Sequence, residues 1–484
     1  MLATGHWLVP YLNGHPYPDK PALYFWIVAA VSAVVGQGAL AFRLVSMAST
    51  FAAAAGVYLL AVRLGPERWA FRAAGAFLTL SLTLVVGQIA RMDMMLTAGV
   101  AFAIHAFVRH HEGGGAKWLA AFWGFVLLGV ATKGPIALLF TALPALVAAA
   151  WTGGWRGFLS LRPLLGLAGL VVLVAAWTVP VWLFGYGHYL AVIWNEQLVG
   201  RTVNAWTHQQ PFYFYLMWAP ILFMPWTVLV GGGVYALLRN GDARRGAAHA
   251  QAFMIAFLLV PFIGLSMISG KLFIYLEPLV PAAALVAAWQ LGRLEEVDQV
   301  PAWIRYPPAI FLMSFGIVLI GLVMHYTWPQ GGTVIVAAVA VVLLGISALF
   351  VMPRRPGPWF NGWLCHSAFF SWLFLGVATW ALNPFFSPRT VGDAVRAVAD
   401  PNTPLGVVDT VRGTLNYYAG RQFTELDAGQ ADDWRRAHPD GLLILKSRDV
   451  DGVFESGKIP GDCNISSVMP LNFEDFHLVG DCRS

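Results

Sequence analysis

Polar residues interrupt this chain rarely and at near-regular intervals. A helix needs about 20 apolar residues to cross the hydrocarbon of a bilayer. Twelve stretches qualify, at roughly 42–62, 70–88, 94–110, 117–132, 134–152, 163–184, 213–238, 250–268, 272–291, 308–326, 333–352 and 360–382. A thirteenth, 22–35, is shorter, follows Lys20-Pro21 directly and is closed by Gly36-Gln37-Gly38. Its length fits either a short span or a helix lying in the membrane interface.

Loop charges decide between the two. If 22–35 does not span and residue 42 starts outside, the inside loops collect Arg63, Arg68, Arg72, Arg109, Lys117, Arg156, Arg162, Arg239, Arg244, Arg245, Arg293, Arg305, Arg354 and Arg355. If it does span, every one of these clusters moves outside, against the positive-inside bias. The stretch is therefore read as interfacial. The opening segment, the 185–212 loop and everything after Asn383 then lie outside, which in a bacterium is the periplasm.

Composition agrees and divides the chain. It is 58% hydrophobic and 11% charged, with a mean hydropathy of +0.65, where a soluble domain carries about a quarter charged residues. Residues 1–383 hold 20 Lys and Arg against 10 Asp and Glu, and 384–484 hold 10 against 15. The expected organisation is an external loop with its interfacial helix at 1–41, a multi-span membrane body at 42–383, and an acidic soluble domain at 384–484. The overall pI near 9.1 then reports membrane-facing loops, and nucleic acid is not an expected partner. In the tail, 405–409 and 442–445 read as short buried strands and 411–418 and 431–438 as helices, which suggests a small α/β domain without a catalytic motif. Cys365 sits in an apolar segment; Cys463 and Cys482 sit in the tail and can pair if it occupies an oxidising compartment.

A few ionisable residues stand against these patterns. Residues 1–383 contain only four lysines, and three of them, Lys20, Lys133 and Lys271, fall on the outer side. Two readings compete. Lysines at span ends snorkel toward water, whereas three cations on the sparsely basic face, with Arg91 and Arg201, suit a phosphate or pyrophosphate. Gly134 and Gly270 beside two of them permit close backbone approach. Asp93 opens a span with no other acid within fifteen residues on either side, so it is a candidate base, or else a salt-bridge partner of Arg91 or a helix N-terminal charge. The 185–212 loop sets Glu196, Arg201 and His208 among Trp194, Trp206 and Tyr213. Asp19 and His208 are an O and an N ligand type for a divalent metal. Met92, Met94 and Met95 read as packing side chains.

The opening Met1-Leu-Ala-Thr-Gly-His-Trp-Leu-Val-Pro-Tyr-Leu-Asn-Gly, followed by Pro18-Asp19-Lys20-Pro21-Ala22-Leu23-Tyr24-Phe25-Trp26, resembles the first external loop of bacterial protein-mannosyltransferase-like and lipid A aminoarabinose transferase-like glycosyltransferases. The likeness continues in order through Arg91 to Asp93, Ala131-Thr132-Lys133-Gly134, the Trp194 to Arg201 loop with His208 to Tyr213, and Gly270-Lys271 through Tyr275. It implies an all-α polytopic GT-C fold, with about 12 spans here, carrying the small C-terminal α/β domain in the periplasm. It further implies an enzyme that moves a sugar from a polyprenyl-phosphate carrier to a lipid A-like lipid, a glycan or a protein at the periplasmic face of the inner membrane.

By the same resemblance Lys20 holds the carrier phosphate, helped by Lys271 and Tyr275, with Lys133 and Arg201 as further anion ligands. Asp93 is then a carboxylate near the reaction, and Asp19 and His208 stand where relatives associate a metal; no cofactor is otherwise required. Relatives place a first span and a further acidic residue ahead of the point where this sequence opens, so Met1 is expected to be a start within a longer protein, with loss of activity as the alternative. A transporter or flippase of lipid-linked sugar is the rival reading; it expects midplane charges and duplicated halves, and no internal repeat is visible. A non-catalytic scaffold whose acidic tail binds an envelope partner is a third.

Overall fold

The computed structural model describes residues 1–484 except 3, 13, 196–208, 240–247, 326–330, 374–375, 378–379, 381–382, 384–386, 409–414, 454–463, 472–473 and 481–484. The chain divides into two compact units. The first comprises 1–10, 18–322 and 338–371, and the second 11–17, 323–337 and 372–484.

The first unit is helical. The interfacial candidate forms helix α1 (Leu23–Val35), 13 residues long and ended by Gly36 at φ 90°. It is followed by α2 (Ala39–Leu64), α3 (Glu67–Thr79), α4 (Ser81–Val86), α5 (Asp93–Arg109) and α6 (Ala116–Lys133). Among the described residues, seven helices are long and apolar enough to cross a membrane, and the protein is a multi-pass membrane protein. Helix α5 is the hub of this unit and is buried along nearly its whole length. It approaches α2 closely because Gly56 faces Ala101, where an added Cβ would come within 2.9 Å of the alanine Cβ; small residues at such crossings let helices pack in lipid, where no hydrophobic force drives them together.

Two apolar stretches that read as continuous spans are broken. The 70–88 stretch turns extended at Leu80 (ψ 133°) between α3 and α4. The 213–238 stretch separates into Phe214–Leu222 and Thr227–Arg239, where Pro225 has no N–H to continue a helical ladder. The two breaks compensate each other. Ser81 donates its backbone N–H (2.8 Å) and its hydroxyl (3.1 Å) to the Met224 carbonyl, and the Trp226 indole N–H donates to Thr79 Oγ1 at 2.9 Å. The 272–291 stretch likewise starts as a 3-10 helix, Phe273–Leu279, before Val280–Glu296.

Arginine-rich helix ends gather together. Arg63 lies 2.7 Å from Glu112, Arg72 and Arg68 meet Glu295 at 2.7 and 3.2 Å, and Arg355 lies 3.6 Å from Asp298. Asp93 and Arg109 occupy opposite ends of α5, about 24 Å apart at 1.5 Å per residue.

The second unit contains a short hairpin, β1 (Tyr11–Leu12) with β2 (His15–Pro16), and a five-stranded sheet. The sheet is built from β3 (Leu405–Val408), β4 (Thr424–Leu426), β5 (Leu442–Lys446), β6 (Asn464–Leu471) and β7 (Glu474–Val479) in the order β4-β3-β5-β7-β6. Strand β3 is parallel to both its neighbours; β5/β7 and β7/β6 are antiparallel. The two strands read from the sequence, β3 and β5, are central and buried on both faces, so each is a continuous apolar run. Leu442 and Ile444 enter one core with Val391, Val395 and Phe476, and Leu443 and Leu445 enter the other with Ala431, Trp434 and Val479. The helix expected over 431–438 is Ala431–Ala437. That expected over 411–418 is seen as Asn416–Ala419, its earlier part lying outside the described residues. Strands β4, β6 and β7 and the helix Arg389–Val398 were not evident in the sequence.

Candidate functional site

Asp93 is the first residue of α5 and is fully buried. Its two oxygens face two different cations. Lys133 Nζ donates to Oδ1 at 2.5 Å and Arg91 Nε to Oδ2 at 3.1 Å. Both interactions follow from local structure. Arg91 lies in the turn that leads into α5, and Lys133 is the last residue of α6, which packs along α5. A carboxylate in the first turn and a cation in the last turn of neighbouring helices suit both helix dipoles. Gly134 follows at φ 86° and donates its N–H to the Val130 carbonyl. An added Cβ there meets nothing within 4 Å, so this glycine serves the positive-φ turn that ends the helix rather than the close backbone approach expected of it.

Lys133 also lies over the ring of Tyr275, 4.8 Å from its centroid. Asp93, Lys133, Arg91 and Tyr275 therefore form one centre, with Lys133 at 9% side-chain exposure and Asp93 at 0%. The structure displays together the alternatives left open for Asp93, an ion pair with Arg91 and a helix N-terminal charge, and adds Lys133. The resemblance implies a phosphate as partner of Lys133; in the structure its ammonium is engaged by Asp93.

Lys271 lies four residues before Tyr275. The segment that carries it is tied to the end of the preceding loop: Gln210 N–H donates to Ser269 O (3.1 Å), Gly270 bridges Gln209, and Lys271 Nζ donates to Gln210 O at 2.9 Å. Lys271 is buried, and burial pushes its pKa below the usual lysine value. Tyr215 donates its hydroxyl to Leu272 O at 3.2 Å, which continues the same fastening.

Asp19 and Lys20 lie half-buried in the turn that leads into α1. The Asp19 carboxylate is close enough to the buried Tyr189 to act with burial in raising that phenol's pKa. Tyr189 packs edge-on against Trp177 at 6.1 Å, and the Trp177 indole donates to Leu8 O at 3.1 Å, so the opening loop is fastened to the helix Pro163–Leu183. Arg201 and His208 lie outside the described residues, as do Glu196, Cys463 and Cys482. Among the described residues no three His, Cys, Asp or Glu side chains stand together as a metal set.

Three residues at the centre were not singled out from the sequence. Glu277 is fully buried in the 3-10 helix that carries Tyr275, accepts a hydrogen bond from Thr83 Oγ1 at 2.9 Å, and lies within electrostatic range of Asp93. Tyr24 of α1, packed with Val28, Val45 and Met92, faces Asp93 and Arg91. Glu277 had a signal of its own: it is a lone acid inside the apolar stretch 272–291, the same criterion that drew attention to Asp93. Thr83 and Tyr24 had none.

Residues 19–182 match the protein family described as dolichyl-phosphate-mannose-protein mannosyltransferase. Over 378 residues, 74% of this chain, it is 27% identical to an undecaprenyl phosphate-alpha-4-amino-4-deoxy-L-arabinose arabinosyl transferase of Pectobacterium atrosepticum, and covers 66% of that protein. A protein of the same name from Pseudomonas paraeruginosa is 30% identical over 317 residues, 62% of this chain and 54% of the relative. The chain thus spans less than two thirds of the length of these curated relatives. In three dimensions it matches the crystal structure of ArnT from Cupriavidus metallidurans bound to undecaprenyl phosphate, with a TM-score of 0.78 at 16% identity, covering 99% of this chain and 91% of the other. The apo form of the same protein matches with a TM-score of 0.75. The fold is that of ArnT, and in sequence the chain is similar to the arabinosyl transferases and, over residues 19–182, to the mannosyltransferase family. The matched segment takes in the opening turn at Asp19 and Lys20 and the Arg91, Asp93 and Lys133 side chains of the buried centre, while Tyr275 lies beyond it.

Proposed function

We propose that this protein is a glycosyltransferase that moves a sugar from a polyprenyl-phosphate carrier to an envelope acceptor, a lipid A-like lipid, a glycan or a protein, at the periplasmic face of the bacterial inner membrane. The observation that carries the reading is the buried centre of Asp93, Lys133, Arg91 and Tyr275, whose three charges leave one net positive charge at the end of α5 away from the arginine-rich helix ends. Under the positive-inside bias those ends face the cytoplasm, which puts the centre, the opening loop and the acidic domain from 384 on the periplasmic side.

In the transfer an acceptor oxygen attacks the anomeric carbon, the bond from that carbon to the carrier phosphate oxygen breaks, and the electron pair leaves with the phosphate. Where the acceptor is a hydroxyl, its proton passes to a carboxylate or to water. Cations that meet the growing phosphate charge lower the barrier. Lys20 and Lys271 take that role, assisted by Tyr275 and by Arg201 from the 185–212 loop. Asp93 holds Lys133 and Arg91 in place and keeps the centre from carrying two unbalanced positive charges. A divalent metal, where one is bound, is assigned to Asp19 with His208.

The test compares, by mass spectrometry, envelope glycolipids of a deletion strain with those of strains re-expressing the chain or its Lys20→Ala and Asp93→Asn variants. A single glycosyl mass difference restored by the unaltered chain and by neither variant identifies sugar and acceptor together. Full restoration by both variants removes the site assignment, and labelled carrier crossing vesicles without any covalent transfer turns the reading toward a transporter.

A further inference from the structure

The carboxyl of Glu277 has no explanation in charge pairing. It is 0% exposed, and among the described residues Oε1 accepts from Thr83 while Oε2 has no partner. Leaving such an oxygen unpaired in a buried place costs about 1–3 kcal/mol, so a leucine would sit there at less cost. What Glu277 does make is one bond between segments 194 residues apart in sequence, from the 3-10 helix Phe273–Leu279 to α4.

That 3-10 helix needs such a bond. It is seven residues long and contains Pro278, and 3-10 helices hold their own geometry poorly because their hydrogen bonds are badly aligned. Yet the segment presents three groups in fixed order. Lys271 is fastened to Gln210 just ahead of it, Tyr275 lies under the Lys133 ammonium, and Glu277 is within electrostatic range of Asp93. A rotation of the segment by one residue would carry the Tyr275 ring away from Lys133. The Gln210 bond holds the segment at one end, and the Thr83 bond holds it two residues beyond Tyr275. Thr83 is itself well placed as an anchor, since it is buried on the helix that follows the Leu80 break, and that break is tied by Ser81 to Met224.

We infer that Glu277 and Thr83 are a positioning pair: their hydrogen bond sets the rotation of the 273–279 segment, and through it the placement of Tyr275 and Lys271 against the Asp93–Lys133 centre. The consequence for carrier binding rests on the transferase reading above; the positioning itself does not.

The experiment uses the full chain in lipid nanodiscs with two readouts. One is modification of Lys133 and Lys271 by a membrane-permeant amine reagent, quantified by peptide mass spectrometry with half-buried Lys20 as internal reference. The other is binding of undecaprenyl phosphate alone. In Thr83→Val and Glu277→Leu, labelling of Lys133 relative to Lys20 is expected to rise several-fold and carrier affinity to fall about tenfold, equivalent to about 1.4 kcal/mol. Thr83→Ser and Glu277→Gln, which preserve a hydroxyl donor and a carbonyl acceptor, should return both readouts close to the unaltered protein. The double variant should be no worse than either single one.

Unchanged labelling in both disrupting variants overturns the proposal even if affinity falls. So does a Glu277→Gln variant as impaired as Glu277→Leu, because charge and not the hydrogen bond would then be the property in use. A labelling rise in a protein whose unaltered form binds no carrier upholds the positioning pair and defeats the transferase reading instead.

Discussion

Helix α5 carries an ion cluster at each end, built from the same kinds of groups and differing in burial. At its start Asp93, 0% exposed, meets Lys133, 9% exposed, at 2.5 Å and Arg91 at 3.1 Å. At its end Glu112, 31% exposed, meets Arg63, 38% exposed, at 2.7 Å and Arg109 at 3.8 Å. Their shortest contacts, 2.5 and 2.7 Å, hardly separate the two. Water separates them: exposed pairs contribute about 0–1 kcal/mol, whereas removing one member of a buried pair leaves an uncompensated charge and costs about 3–5 kcal/mol. The lesson is that the Asp93 end tolerates no partial substitution, while the Arg63 end serves orientation in the membrane through its charge and hardly at all through its contacts.

The largest expected effect comes from opening the buried cluster. Lys133→Met should lower stability by about 3–5 kcal/mol, read as a fall in the thermal midpoint in detergent, and should abolish transfer. The paired change Lys133→Met with Asp93→Leu should recover most of the stability and none of the transfer. Recovery of both would reduce Asp93 to a structural role.

Next come the phosphate cations. Lys20→Ala or Lys271→Ala removes one charge-assisted contact, worth about 1.5–3 kcal/mol, so KM for the carrier-linked donor should rise about tenfold to a hundredfold, with the thermal midpoint kept in Lys20→Ala and lowered in Lys271→Ala, which also loses the bond to Gln210 O. An unchanged KM in both would dissociate these lysines from the phosphate.

A smaller effect sharpens the comparison by pH. Lys271 is cationic below its pKa, and burial lowers that pKa, so the charge is lost on the alkaline side earlier than for an ordinary lysine. Donor affinity should therefore decline as pH rises toward 10.5, the unperturbed lysine value, and Lys271→Arg should hold its affinity further into alkali. Identical alkaline limbs for the two proteins would disconnect Lys271 from that decline.

The smallest effect belongs to the exposed end. Glu112→Gln should change stability by less than about 1 kcal/mol and leave transfer intact, and even that difference should vanish near 1 M salt, where screening lengths fall to about 3 Å. A loss comparable to that of Lys133→Met would end the contrast.

Much of the site was legible because residues at odds with their surroundings can be read singly. Asp93, Lys133 and Lys271 each stood out against apolar neighbours, and the structure brings Asp93 and Lys133 into contact with Tyr275 beside them. Glu277, a lone acid in the apolar stretch 272–291, satisfies the same criterion. The breaks at Leu80 and around Pro225 were hidden because hydropathy is continuous across both; only the cross-bond from Ser81 to Met224 shows that two interrupted segments supply each other's missing partners. In the tail, β3 and β5 were visible as unbroken apolar runs. Strands β6 and β7 were not: β6 is interrupted by two serines and a proline, and β7 opens with two acids.

By itself the sequence determined what depends on local composition: a lipid-bathed helical body, the side of the membrane favoured by its arginines, an acidic α/β tail, and the few ionisable groups that apolar surroundings do not explain. Only the tertiary structure decided which of those groups are partners. Asp93 and Lys133 are 40 residues apart and Thr83 and Glu277 are 194 apart, and no periodicity within a helix reports such a distance. Hydropathy measures the transfer of each segment into lipid, which is a property of the segment alone. Pairing a buried charge depends on which helices lie side by side, and that is settled by the packing of small and large side chains between them.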